Sequence, residues 1–207
     1  MKRIAFALCA ASFALFACNA ASAQSIKTPD EAWVPVDSAT AMKAWMEFAT
    51  PSDMHKMMAS WNGEWTGEMT MWMGNGAPPT KSTTTAVNSM ILGDRYQMSK
   101  HTGSFEGMPF EGVSITAYDN AKKMFISTWM DNMGTGIMKL SGTWDAATKT
   151  LTSTGTQTDP SRNGKDCTVR EVFKIIDDNN HLMEMYGPDP MTGKEFKTME
   201  VKYTRKK

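Results

Sequence analysis

Ala59-Ser60-Trp61-Asn62-Gly63-Glu64-Trp65-Thr66-Gly67 is the stretch in which the chain changes its period. Ahead of it, Met54, Met57, Met58 and Trp61 recur at helical spacing, as on a helix with one apolar face. After it, Trp65, Gly67, Met69, Met71 and Met73 alternate. A strand turns alternate residues to the same side, so these five form one bulky apolar wall. Gly63 marks the break between the two patterns, and every later segment repeats the strand-and-turn rhythm that begins here.

Strand-like runs are predicted near 64–73, 81–91, 95–105, 110–118, 123–131, 136–144, 149–158, 167–176, 181–187 and 195–205. Turn chemistry separates them, as in Gly74-Asn75-Gly76, Gly93-Asp94, Asp119-Asn120, Asn163-Gly164 and Asp177-Asp178-Asn179-Asn180. Even spacing with short connections argues for an antiparallel meander. An open sheet of that size exposes two unpaired edges, and closure removes them. The expected fold is therefore mainly β, an antiparallel up-and-down β-barrel of about ten strands, with a two-sheet sandwich as the alternative.

Upstream, Asp37-Ser38 caps a helix running to about Phe48, with Met42, Trp45, Met46 and Phe48 as its apolar side. Thr50 as N-cap, Pro51 at the first helical position and Asp53 three residues on from Thr50 predict a second, short helix. That helix is expected to lie across one end of the sheet. Residues 1–23 read as a secretory signal: Lys2 and Arg3, an apolar run from Ile4 to Ala17, and Ala21-Ser22-Ala23 before Gln24. The apolar run is too short for a permanent membrane span. The expected organisation is a signal peptide over 1–23, a leader and helix over 24–49, and one barrel domain over 50–207. Export to the periplasm or the medium follows. Leu15-Phe16-Ala17-Cys18 offers a second route, in which Cys18 is lipidated and anchors the protein to a membrane. Phe16 is bulky for that pattern, whereas cleavage between Ala23 and Gln24 fits well. Cleavage there leaves Cys167 as the single cysteine, so no internal disulfide is expected.

The chain has 22 basic and 22 acidic residues; loss of 1–23 removes Lys2 and Arg3 and no acid, leaving 20 against 22. That balance carries no electrostatic footprint for nucleic acid. The unusual feature is methionine, at 20 residues, joined by seven tryptophans. Thioethers suit irregular, deformable cavities, and they are also soft ligands for Cu(I). Their spread over many elements favours packing over a copper site.

In order along the chain, Gly63-Glu64-Trp65, Ile91-Leu92-Gly93-Asp94-Arg95-Tyr96 and Gly107-Met108-Pro109-Phe110-Glu111-Gly112 resemble a family of secreted bacterial proteins. Ala117-Tyr118-Asp119-Asn120, Ser127-Thr128-Trp129-Met130-Asp131 and the segment from Glu195-Phe196-Lys197 to Arg205 extend the resemblance. It is the domain-of-unknown-function family numbered 1579, matched from about residue 53 to the C-terminus, and it brings no activity or ligand with it. More distantly the chain resembles the calycins: lipocalins, fatty-acid-binding proteins and nitrobindin-like barrels. Lipocalins open their first strand with Gly-x-Trp after a short helix, and a basic residue of the last strand packs over that Trp. Gly63 and Trp65 stand in the first place and Arg205 in the second, so the resemblance implies a calycin-like barrel with a Trp65–Arg205 pair at one end.

Candidate site residues follow from strand parity. Trp65, Met69 and Met71 belong to the apolar wall. Trp129 and Asp131 share a strand face, where the carboxylate either meets a ligand's polar end or caps its own turn. Arg170 and Glu171 point to opposite faces; an inward Arg170 would hold a ligand carboxylate by a bidentate contact, whereas an outward one would form a surface ion pair. His55, His101 and His181 fall on separate elements without metal-ligand spacing. His101 shares its face with Arg95, Gln97 and Ser99, a poor wall for haem, so no cofactor or metal is expected. Serine-hydrolase, zinc-protease, Walker and dinucleotide motifs are all absent. The expected function is binding of a small apolar or amphipathic molecule in the barrel interior. A non-catalytic envelope protein with a filled core, and an enzyme for a small substrate inside the barrel, are the alternatives.

Overall fold

The computed structural model describes residues 34–207. The expected signal segment, its Ala23–Gln24 cleavage point and Cys18 lie outside the described residues. The chain divides into the units Met1–Val36 and Asp37–Lys207, and every helix and strand that follows belongs to the second.

Asp37 caps the first helix, α1 (Ser38–Ala49), with its carboxylate accepting from the backbone N–H groups of Ala39 and Thr40 at 3.0 and 3.1 Å. No residue of α1 is buried; Met42, Trp45 and Met46 stand exposed, so its apolar side does not join the barrel core. The second helix, α2 (Asp53–Ser60), starts two residues later than the Thr50 cap expected from the sequence. Thr50 instead closes α1, its hydroxyl donating to the Met46 carbonyl at 2.6 Å. Ser52 takes the N-cap position, and its backbone N–H donates to His55 Nδ1 at 2.9 Å.

Ten strands follow: β1 (Gly63–Met71), β2 (Thr80–Ile91), β3 (Tyr96–Phe105), β4 (Met108–Asp119), β5 (Met124–Asp131), β6 (Met138–Asp145), β7 (Thr150–Asp159), β8 (Lys165–Asp177), β9 (Asn180–Pro188) and β10 (Glu195–Arg205). Each pairs antiparallel with its sequence neighbours, and β1 pairs with β10 to close the barrel. Closure leaves no sheet edge for another chain to pair with. The wall expected on β1 is one residue shorter than its alternation suggests. β1 ends at Met71, the chain turns away through Gly74-Asn75-Gly76, and Met73 is exposed.

Curvature is tightest where β6 meets β7. A Cβ on Gly155 would lie 1.8 Å from the Lys139 carbonyl oxygen, and one on Gly142 would lie 2.1 Å from that of Thr152. Only glycine lets the two backbones approach so closely, as barrel corners require.

The core sits at the α2 end, where Met58 and Trp61 pack on Phe125 and Leu151 with Tyr118, Trp144 and Phe173 around them. A helix leaves its last four carbonyls without partners, and here barrel side chains reach two of them, Met58 and Ser60, and the two residues that follow. Gln97 donates to Met58 at 2.5 Å, Arg205 to Ser60 at 2.8 Å and to Asn62 at 2.5 Å, and both Asn88 and Trp65 to Trp61, at 3.1 and 2.9 Å. A cation at the C-terminal end of a helix also complements its dipole. α2 is thus fixed across one mouth of the barrel, and the opposite mouth is rimmed by loops.

Arg205 binds three carbonyls in total, adding Asp178 at 3.0 Å through Nε. Lysine would keep the charge and lose the fork. R205K is expected to lower stability by about 1–2 kcal/mol, read by urea denaturation; an unchanged midpoint would show that the fork contributes nothing.

Candidate functional site

Inward-facing residues of all ten strands enclose a cavity of ≈ 440 Å³ between the α2 plug and the loop end. Its wall is mainly apolar: Met69, Met71, Met138, Met183, Met185 and Met199, with Phe105, Phe110, Phe125, Phe173 and Trp129. A larger depression of ≈ 840 Å³ lies elsewhere, lined by threonines and other polar residues of β2 and β3. The interior cavity is the better site, being concave with a mainly apolar surface and polar groups set within it, as small-molecule sites are.

The residues singled out from sequence divide as follows. Trp65, Met69, Met71, Trp129 and Asp131 all line the cavity. Trp65 forms its floor, 1% exposed, with the Arg205 guanidinium 4.2 Å from its ring centroid. The register sets this pair, because Trp65 lies directly opposite Arg205 on β1 and β10. Asp131 takes the turn-capping role of the two weighed for it, and it also holds the Trp129 ring. One oxygen accepts from Trp129 Nε1 at 2.7 Å, and the other accepts from the Met133 N–H at 3.0 Å to close the turn. Gly112 gives the Trp129 ring its place, since a Cβ there would come within 2.6 Å of that ring.

Arg170 is not a cavity residue. It points outward, donates to both Glu195 oxygens at 2.7 and 3.2 Å, and lies 3.9 Å over the Tyr186 ring. The inward place on β8 goes to Glu171, between Val169 and Phe173. Burial alone pushes the Glu171 carboxyl up to about 7. The side chain keeps some accessible surface, but that surface faces the enclosed cavity rather than bulk solvent. Tyr203 faces the same space, its hydroxyl raised first by burial and then by the charge of Glu171. The phenol is therefore a neutral donor at physiological pH.

Two histidines also turn inward. His101 packs edge-on against Trp129, with centroids 5.0 Å apart, and its Nε2 meets the Ser99 hydroxyl at 2.8 Å. Its face is more aromatic than Gln97 and Ser99 suggest, and Arg95 lies outside β3, bonded to the Ala49 carbonyl. His181 stacks on Trp65 at 4.2 Å and meets Phe173 edge-on at 5.1 Å. Burial pulls both imidazoles down to about 4, with the Arg205 charge adding to the effect at His181, so both are neutral near pH 7. Among the described residues no three His, Cys, Asp or Glu side chains converge as a metal site.

Glu171, Tyr203 and His181 were not among the residues chosen from sequence, although a signal was present. Val169, Glu171 and Phe173 share one parity, and Arg170 shares the other with Lys174.

A family model described as "Protein of unknown function (DUF1579)" matches residues 50–205. No curated protein matches the chain. Among solved structures, Rv2717c from M. tuberculosis aligns with a TM-score of 0.57 at 9% identity, covering 76% of this chain and 100% of that one. The S-type phycobiliprotein lyase CPES from Guillardia theta aligns with a TM-score of 0.52 at 8% identity, covering 79% of this chain and 97% of that one. At such identities the likeness is one of fold alone, and it is consistent with a calycin-like ten-stranded barrel.

Proposed function

The chain belongs to the DUF1579 family, and from the barrel that its sequence builds we propose that it is a container for a small apolar or amphipathic molecule. The observation that carries this reading is the ≈ 440 Å³ apolar cavity. A protein serving only as a packed scaffold has no use for such a space, because interiors are otherwise close-packed. Methionine suits the wall, since its flexible thioether moulds to an irregular guest. A structural neighbour named as a phycobiliprotein lyase is compatible with barrels of this shape handling small molecules. Export belongs to the proposal and rests on the signal pattern of residues 1–23.

The test is native mass spectrometry of the protein purified from its own envelope fraction without added ligand. An organic adduct of roughly a few hundred daltons is expected, as a cavity of this size accepts. Ser127 lines the cavity, so Ser127→Trp fills the space and should abolish the adduct while the β-sheet circular dichroism persists. A bare mass for the wild type, or the same adduct on the filled variant, would count against the container.

A further inference from the structure

The cavity wall contains carboxyl groups and no cation. Asp131 and Glu171 line it, and among the described residues no lysine or arginine does. The two carboxyls differ in their partners. Asp131 is occupied by Trp129 and the Met133 N–H. Glu171 is not: it lines the cavity, and among the described residues nothing hydrogen-bonds or ion-pairs with its carboxyl, which burial raises. Around it stand thioethers and aromatic rings, with Met185 and Ser153 as its cross-strand neighbours on β9 and β7.

This wall discriminates between head groups. An anionic amphiphile would bring a second negative charge into a mainly apolar space that offers no positive partner among the described residues, which is costly. A neutral one would leave Glu171 as it is. A cation would gain the ionised Glu171 as its counter-charge and the polarizable sulfur of the neighbouring Met185. We propose that the cavity takes a cationic amphiphile, an amine or quaternary ammonium head paired with Glu171 and an apolar body lying along the methionine and phenylalanine wall. This deepens the container reading and rests on it.

The pairing makes binding depend on pH in one direction. The titratable groups that share the cavity with Glu171 are Tyr203 of β10, His101 of β3, His181 of β9 and Asp131 of β5. Both histidines are neutral above about 4 and Tyr203 is protonated throughout, so near neutrality Glu171 is the group whose charge changes. It is neutral below about 7 and charged above. Affinity for a permanent cation should therefore rise with pH through that value.

Three probes of one chain length test the idea: decyltrimethylammonium, decanol and decanoate, each titrated into the protein by calorimetry. The cation is expected to bind roughly 10- to 100-fold more tightly than decanol at about pH 8, with decanoate weakest. Its advantage should shrink toward unity at about pH 5.5 as Glu171 takes up its proton. Glu171→Gln should remove the pH dependence and the preference together, while Glu68→Gln, on the opposite face of β1, should change neither. If decanol or decanoate binds as well as the cation at about pH 8, the container stands and the cationic ligand is overturned. If none of the three binds, both readings fall.

Discussion

Trp65→Ala is expected to lower stability by about 3–5 kcal/mol, the range for deleting a fully buried indole, and so to lower Tm by about 6–20 °C for a chain of this size. The cost has identifiable parts. The ring is 1% exposed, so its removal opens a cavity at the plugged end. Arg205 loses the aromatic face 4.2 Å beneath it, and His181 loses the ring it stacks on at 4.2 Å. The Trp61 carbonyl keeps Asn88 and loses the indole N–H. Because Trp61 is the C-cap of α2, the damage should concentrate at that end of the helix. Hydrogen exchange should show α2 amides opening more readily than those of the distant β6 and β7. Trp65→Phe, which keeps a ring without the donor, should fall between the two. A Tm within about 2 °C of wild type in Trp65→Ala would mean that the plug is not anchored through this residue.

The fold was largely legible because its signals are local and repeated. Alternation of the kind seen along β1, and turn residues such as Asn163 and Gly164 at positive φ, recur at most steps of the meander. The Trp65–Arg205 pair was implied by the lipocalin resemblance and permitted by strand parity, and the closing register sets the two residues opposite one another. The boundary between the helices was not. Thr50 and Ser52 are both good caps, and the choice depends on Pro51 and on His55, whose ring is held by packing near Tyr118. The site was half legible. Trp129 and Asp131 stood out because an aromatic and an acid share a face beside a turn. Glu171 did not, because β8 has apolar residues on both faces, Val169 and Phe173 inside and Val172 outside. Alternation there only leans toward Glu171, through Lys174 on the parity of Arg170, and the lean is too slight to single it out. The partner that draws Arg170 outward, Glu195, is 25 residues away on β10, and no local pattern reports it.

Glu171→Gln is expected to stabilise the empty protein, and only above the acid range. In the wild type the carboxyl goes from its ordinary 4.5 up to about 7, so the folded state holds its proton more tightly than the unfolded chain does. Stability from this group is fully present below about 4.5, falls as pH rises through about 7, and is constant above that. The gap corresponds to up to about 3 kcal/mol. His101 and His181 work in the opposite sense. Each is held down at about 4 from an ordinary 6.5, so each contributes stability above 6.5 that is lost as pH falls toward about 4. A single pH profile would mix the three, but the difference between variant and wild type isolates Glu171, because the histidines are common to both. That difference should be near zero at about pH 4.5 and should reach its plateau above about pH 7, measured by urea denaturation across the range. Equal stabilities at about pH 8 would show that the cavity solvates the carboxylate well. A cation in the cavity should offset the same penalty, so decyltrimethylammonium should raise the wild-type Tm more at about pH 8 than at about pH 5.5 and give Glu171→Gln no such pH-dependent gain. The two experiments then meet on one residue: a carboxyl that destabilises the empty barrel at neutral pH is the group that a cationic guest would satisfy.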